Sequence, residues 1–403
     1  MSDSASGCCR ICGLPTRPVL DLGEMPPANW LTETRAVALE QFPLLLETCD
    51  CGNFQLRHCV DADVLYRRYN YFTPQSSSLD EHYRVLLQRL REGGYVAADT
   101  SALEIGSNVG RFLEVLRPHV RSIVGVDPAQ NVAEAATAAG VPTFPEFFNA
   151  EFARDFRRRQ GEVDLVVARH CMAHNCDPYE MLDGIVEVLA PDGTLVIENA
   201  YAIATLERNE FDQVYHEHMF YFTVLALQAL LERRGMTLRE VMRSDVHGGS
   251  IVCFAKREGE TTSDIRSVLD EERLVLDGGL AERFATSTAK IRRDLHATIV
   301  ELVARGESVY AYGASAKGAT LMNACGLTYR DIPYCADSTP GKVGRFMPKC
   351  AVEIVTEEWA FANPPNAFLL TAWNYRDELI AKVRSAGLPG VRFIVPIPTV
   401  TVL

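Results

Sequence analysis

The run Phe211-Asp212-Gln213-Val214-Tyr215-His216-Glu217-His218-Met219-Phe220-Tyr221 holds the densest set of titratable side chains in the chain. An imidazole near its ordinary pKa takes up a proton at neutral pH. A neighbouring carboxylate can orient it, and a phenol can donate to an oxygen that gains negative charge. The two histidines are not spaced as in HExxH, so a zinc-protease arrangement is excluded. A polar loop with satisfied histidines is the bland alternative. The segment's place favours chemistry, because it follows directly on the apolar strand pattern Gly193 to Glu198.

The elements that must position this cluster begin with Ala102-Leu103-Glu104-Ile105-Gly106-Ser107-Asn108-Val109-Gly110. An apolar strand runs into a glycine turn that opens a helix, and a second strand, Ile123 to Val126, ends on Asp127-Pro128. A parallel sheet presents a nucleoside at such a place, with an acid about 20 residues on accepting the ribose hydroxyls. If Gly106 is the first glycine of a dinucleotide fingerprint, the next two fall on Asn108 and Arg111. Side chains there block a pyrophosphate, so NAD fits poorly. S-adenosylmethionine fits, because its amino-acid tail can bond to the turn amides and Asn108. The expected contacts are the strand-end acid Glu104, Gly106, Gly110 and Asp127.

Two cysteine knuckles lie near the start of the chain. Cys9-Arg10-Ile11-Cys12-Gly13 is a regular CxxC, whereas Cys49-Asp50-Cys51-Gly52 has one residue between its cysteines. Cys8 and Cys59 offer substitutes for the second pair. Without an apolar signal core at the N-terminus the 12 cysteines should be reduced, which points to structural zinc rather than disulfides. The 403 residues suit two or three cores, and a net charge of −13 argues against nucleic acid as partner. No apolar run approaches the length that crosses a bilayer, and a cytoplasmic protein is expected.

From about Glu81 to Lys256 strand and helix alternate, with Val163 to Ala168 a further buried strand and Thr223 to Gly235 a helix closing on glycine. Two helices are expected between Glu258 and Gly306. A second strand-turn-helix follows: Ser308 to Tyr312, then Gly313-Ala314-Ser315-Ala316-Lys317-Gly318. Lys317 precedes the second glycine, so a Walker motif is excluded. The turn amides and Lys317 could still hold a diphosphate, with Arg345 adding positive charge. The alternative is a packing turn.

In this order the pieces resemble the NDP-deoxysugar C-methyltransferases of antibiotic and surface-glycan pathways. The carriers are the Cys9/Cys12 knuckle, Glu104 to Asn108, Ala168-Arg169-His170 with Ala173-His174, Tyr215 to His218, His247-Gly248-Gly249-Ser250, Gly313 to Gly318 and Ala372-Trp373-Asn374-Tyr375. The resemblance covers nearly the whole chain. It departs at the Cys49/Cys51 spacing and at Pro74-Gln75, which leaves Tyr69 competing with Tyr71 as the match to the family's active-site tyrosine; Tyr71 is favoured.

The resemblance implies an α/β chain in three parts. These are a small zinc-binding module (1–65) held by Cys9, Cys12, Cys49 and Cys51, a central Rossmann-like class I methyltransferase domain (66–257), and a C-terminal Rossmann-like domain (258–403). It implies S-adenosylmethionine bound by Glu104, Gly106, Ser107, Asn108, Gly110, Asp127, Pro128, Arg169 and His174. An NDP-4-keto-deoxysugar, with thymidine the commonest base, would meet Glu198, Asn199, His247, Lys317 and Arg345. His218 would be the base, assisted by Glu217, with Tyr215 and Tyr71 near the keto oxygen. The ketone is needed because an ordinary sugar carbon is too weak an acid to become a carbanion. O- or N-methylation, or binding without catalysis, are the rival functions. The sugar and the oligomeric state stay open.

Overall fold

The computed structural model describes residues 7–61, 65, 77–257 and 259–403, without the side chains of Ser77, Ser78 and His247. Tyr69 and Tyr71 therefore lie outside the described residues. Three sheets organise the chain. The largest has seven strands in the spatial order Thr237–Ser244, Ser250–Lys256, Leu189–Ala200, Val163–Arg169, Ser101–Ile105, Ser122–Val126 and Thr143–Phe144. Its last five strands are parallel, and the Ser250–Lys256 strand pairs antiparallel on both sides. The parallel strands are apolar because helices cover both faces, and every side chain of Ser101–Ile105 is buried.

A second, six-stranded sheet runs Glu353–Val355, Tyr334–Ala336, Val309–Tyr312, Ala367–Leu370, Arg392–Val395 and Thr401–Val402, antiparallel only at the last pair. It repeats the strand-turn-helix logic of the first. The strands Tyr334–Ala336 and Glu353–Val355 are too short to stand out in sequence. Between the two sheets lie the expected helices, Ser263–Asp277 and Leu280–Ala304.

The N-terminal strands Arg17–Met25, Phe42–Thr48 and Phe54–Leu56 form an antiparallel sheet. Its fourth strand, Phe220–Tyr221, comes from the segment just after the acid/base cluster. One apolar core runs from Ile11 and Leu46 of this sheet through Phe211 and Phe222 to Leu295 and Ile354. No described helix is long and apolar enough to cross a membrane.

Candidate active site

Hydrogen bonds to the second strand and to Asp127 hold the Gly106 turn. Gly106 N donates to Val126 O (2.8 Å), and Asp127 accepts from Asn108 N (2.9 Å, Oδ2) and Ala129 N (3.0 Å, Oδ1). Gly106 has φ 67°, and a Cβ there would sit 3.0 Å from that of Cys171, so the position suits glycine alone. The C-terminal turn uses the same pattern. Gly313 N donates to Ala336 O (2.9 Å), and Asp337 accepts from Ala314 N (2.7 Å, Oδ2) and Thr339 N (2.8 Å, Oδ1).

Both turns open on one cavity of about 1000 Å³. Its wall includes Gly106, Ser107, Asn108, Asp127, Pro128, Arg169 and His174 at one end, and Ser315, Lys317 and Lys342 at the other. Asn199, Tyr215, Glu217 and His218 also face it. The volume suits two ligands of nucleotide size. Ser107 Oγ and both amide atoms of Asn199 are buried without a partner, so the wall holds unmet polar groups that a polar ligand would satisfy. Those groups, the open glycine turn and the Asp127 carboxylate fit an adenosyl amino acid, which Gly106, Ser107, Asn108 and Asp127 would hold.

Four expected contacts do not reach this wall. Glu104 is fully buried, and its Oε1 accepts from Arg169 Nε (2.9 Å). Burial pushes its carboxyl up, against the pull of Arg169. Arg169 reaches the wall, but its guanidinium stacks on the rings of Tyr83 (4.5 Å) and Phe112 (4.8 Å) as well as pairing Glu104. Gly110 sits behind the turn, against Val141. Glu198 is fully buried, 2.6 Å from His82 Nε2 and 3.5 Å from His170 Nε2. Burial opposes its charge, but the two histidines and Arg169 hold it well below the usual carboxylate range. Arg345 pairs with Glu33 (3.2 Å), and Lys342 takes its place at the cavity, donating to Ala314 O at 2.8 Å. Both acids sit beneath Arg169, which stands between them and the cavity. His247 has no described side chain.

The base cluster divides sharply. His218 faces the cavity, whereas His216 turns to the Phe42 carbonyl (3.2 Å). His218 Nδ1 lies 3.0 Å from the Gln213 carbonyl, which can only accept, so Nδ1 carries the hydrogen and Nε2 the lone pair. The Tyr215 hydroxyl then donates to Nε2 at 2.8 Å. Burial, with His174 at 5.2 Å between ring centres, depresses His218 well below the ordinary histidine range, leaving it neutral. His174 is itself lowered to about 4, by burial and then by His170. Glu217 does not supply the orienting bond. Its Oε1 accepts from Asn29 of the N-terminal part (2.9 Å), its Oε2 is buried without a partner, and burial raises its pKa. Sequence reasoning missed Gln213, Asn29 and Lys342. Gln213 acts through its backbone carbonyl, which leaves no side-chain signal.

The sulfurs of Cys9, Cys12, Cys49 and Cys51 all lie within 4.8 Å of one another, with Cys9–Cys51 at 3.7 Å and Cys12–Cys49 at 3.3 Å. A tetrahedral zinc with bonds of about 2.3 Å sets thiolates roughly 3.8 Å apart, so the donor set fits it. Cys8 turns to the Gly13 carbonyl (3.3 Å) and Cys59 to Arg10, which removes both substitutes.

Three family models match successive stretches: "Putative zinc binding domain" at residues 9–66, "Methyltransferase domain" at 77–241 and "C-methyltransferase C-terminal domain" at 245–398. C-methyltransferase NovU of Streptomyces niveus is 37% identical over 399 residues, covering 97% of this chain and 95% of its own. Among solved structures, N-methyltransferase NodS of Bradyrhizobium japonicum WM9 with S-adenosyl-L-homocysteine is 17% identical. That match covers 49% of this chain and 94% of NodS, with a TM-score of 0.36. Magnesium protoporphyrin IX methyltransferase (ChlM) of Synechocystis PCC 6803 with bound SAM is 12% identical, over 48% and 89%, with a TM-score of 0.35. With 37% identity to NovU across nearly its whole length, a cysteine cluster shaped for zinc and a cofactor turn opening on the base cluster, the chain belongs to the S-adenosylmethionine-dependent C-methyltransferases.

Proposed function

We propose that the chain methylates carbon 3 of a nucleoside-diphosphate 4-keto-deoxysugar through an enolate, with thymidine the expected base. The observation that carries this reading is the single cavity lined by the Asp127 turn, the Tyr215–His218 pair and the Ser315–Lys317 turn. A cofactor at the first turn and a diphosphate near Lys317 would put the sugar beside His218. The division into 1–65, 66–257 and 258–403 belongs to the same proposal.

The carbon-3 C–H bond breaks toward the carbonyl. Its electron pair enters the enolate, and its proton goes to Nε2 of His218, the nitrogen that carries the lone pair. Tyr215 first donates to that lone pair, so its hydroxyl must turn to another acceptor as the proton arrives. The keto oxygen is that acceptor, and the same hydrogen bond then stabilises the enolate. The Gln213 carbonyl holds Nδ1–H and stabilises the imidazolium that forms. Glu217, anchored by Asn29, offers its unpartnered oxygen to a substrate hydroxyl. S-adenosylmethionine supplies an electrophilic methyl group when bound.

The test is deuterium exchange at carbon 3 across a panel of 4-keto sugar nucleotides in the absence of cofactor. Exchange with at least one substrate is expected. Methylation on oxygen or nitrogen without any exchange would overturn the enolate.

A further inference from the structure

Two acids ahead of the base cluster, Glu210 and Asp212, are 1% and 0% exposed and enter no step derived above. Glu210 Oε2 accepts a hydrogen bond from Gln213 Nε2 and lies 3.8 Å from Lys317 Nζ. Asp212 Oδ2 accepts from Trp373 Nε1 at 2.7 Å, and the same ammonium sits 5.4 Å from the centre of the Trp373 ring. Lys317 and Trp373 belong to the six-stranded unit, and the acids belong to the seven-stranded one. Beyond Gln213, its carbonyl takes two donors, His218 Nδ1 (3.0 Å) and Tyr221 Oη (2.9 Å). A continuous polar chain therefore runs from Lys317 through Glu210 and Gln213 to the ring of His218.

The Phe211–Gln213 element is a single 3-10 turn, held by Gln213 N to Glu210 O (3.1 Å) and Val214 N to Phe211 O (3.0 Å). Such a turn is a weak scaffold by itself. Buried charge is also a costly way to fill a core, since apolar residues of similar size do so at least as well. We propose that Glu210 is a positioning residue: it ties Gln213 to Lys317 and so holds the Gln213 carbonyl where it sets the orientation and tautomer of the His218 ring. The proposal rests on His218 being the base.

The test uses the full-length protein with nitrogen-15 histidine, the His218 signals being assigned by their loss in His218→Gln. Wild type should show the Nδ1–H tautomer. Glu210→Ala and Gln213→Ala should each shift His218 toward a mixture, and Glu210→Gln, which keeps an acceptor for Gln213, should preserve the wild-type signature. The exchange kcat should fall ~10- to 100-fold in the alanine variants, with KM within about threefold of wild type. The double variant should be no worse than either single one, because both cut the same link. An unchanged His218 signature in Glu210→Ala overturns the proposal, as do additive losses in the double variant. If Glu210→Ala does not fold, Gln213→Ala decides alone. Absence of exchange in wild type would sink the sugar assignment, and the nitrogen signature would still decide Glu210.

Discussion

Asp127 and Asp337 form a matched pair that separates cofactor binding from turn stability. Each accepts two backbone amides, at 2.9 and 3.0 Å for Asp127 and 2.7 and 2.8 Å for Asp337. Asparagine keeps one acceptor and turns an N–H toward the second amide. Losing a bond to a charged acceptor costs about 1.5–3 kcal/mol, so both Asp127→Asn and Asp337→Asn should loosen their turns by a similar amount. Hydrogen exchange of peptides spanning residues 104–116 and 312–322 would localise each loss. Calorimetry with S-adenosylmethionine should then separate the two variants. Asp127→Asn should lose a further ~1–3 kcal/mol of affinity, roughly 5- to 150-fold in Kd, through unmet ribose hydroxyls. Asp337→Asn should bind the cofactor as wild type does. Unchanged affinity in Asp127→Asn, or an equal loss in Asp337→Asn, would refute the assignment.

The remaining expectations concern metal, base, pH and substrate charge. Protein purified without chelator should carry one zinc, and Cys49→Ser should lower the content; less than about half an equivalent in wild type counts against the tetrahedral site. His218→Ala should bind cofactor normally yet lose on the order of 10²–10⁴ in turnover and carbon-3 exchange, and wild-type exchange would move the base elsewhere. His174, lowered to about 4, is neutral in both folded and unfolded chains above pH 6.5; below that the unfolded chain protonates first. Stability should therefore fall as pH drops from 6.5 toward 4, by at most roughly 3 kcal/mol, and unfolding midpoints of His174→Phe should lose that part of the slope. Lys317→Met should raise KM by removing the cation near the diphosphate and should also lower kcat by releasing Glu210; an unchanged KM would take the diphosphate away from Lys317.

Local features were legible in sequence and long-range ones were not. The Gly106 turn and Asp127 are coded by adjacent strands, so a glycine and an acid at the right spacing sufficed to mark them. The cysteine cluster was legible in its regular half, and only the fold could show Cys8 and Cys59 turned away. Glu104 and Glu198 read in sequence as strand-end acids, but residue type does not reveal that both lie buried beneath Arg169. Asn29 reaches Glu217 across 188 residues of chain, a contact no local pattern contains. Arg345 and Lys342 are close in sequence, but the bend between them sends only Lys342 to the cavity.

The short strand Phe220–Tyr221 pairs with Phe54 and Gln55 and thereby completes the sheet of the cysteine-bearing part. A β-ladder therefore joins the N-terminal sheet to the segment that follows the base cluster, and it starts two residues after His218. Expressed apart, each piece would present an unpaired strand edge, which invites aggregation. Chimaeras between relatives should accordingly exchange the N-terminal sheet together with its 220–221 partner. For the same reason, recombination that shuffles substrate specificity among such enzymes should favour crossovers on the far side of this ladder, toward the C-terminal sheet.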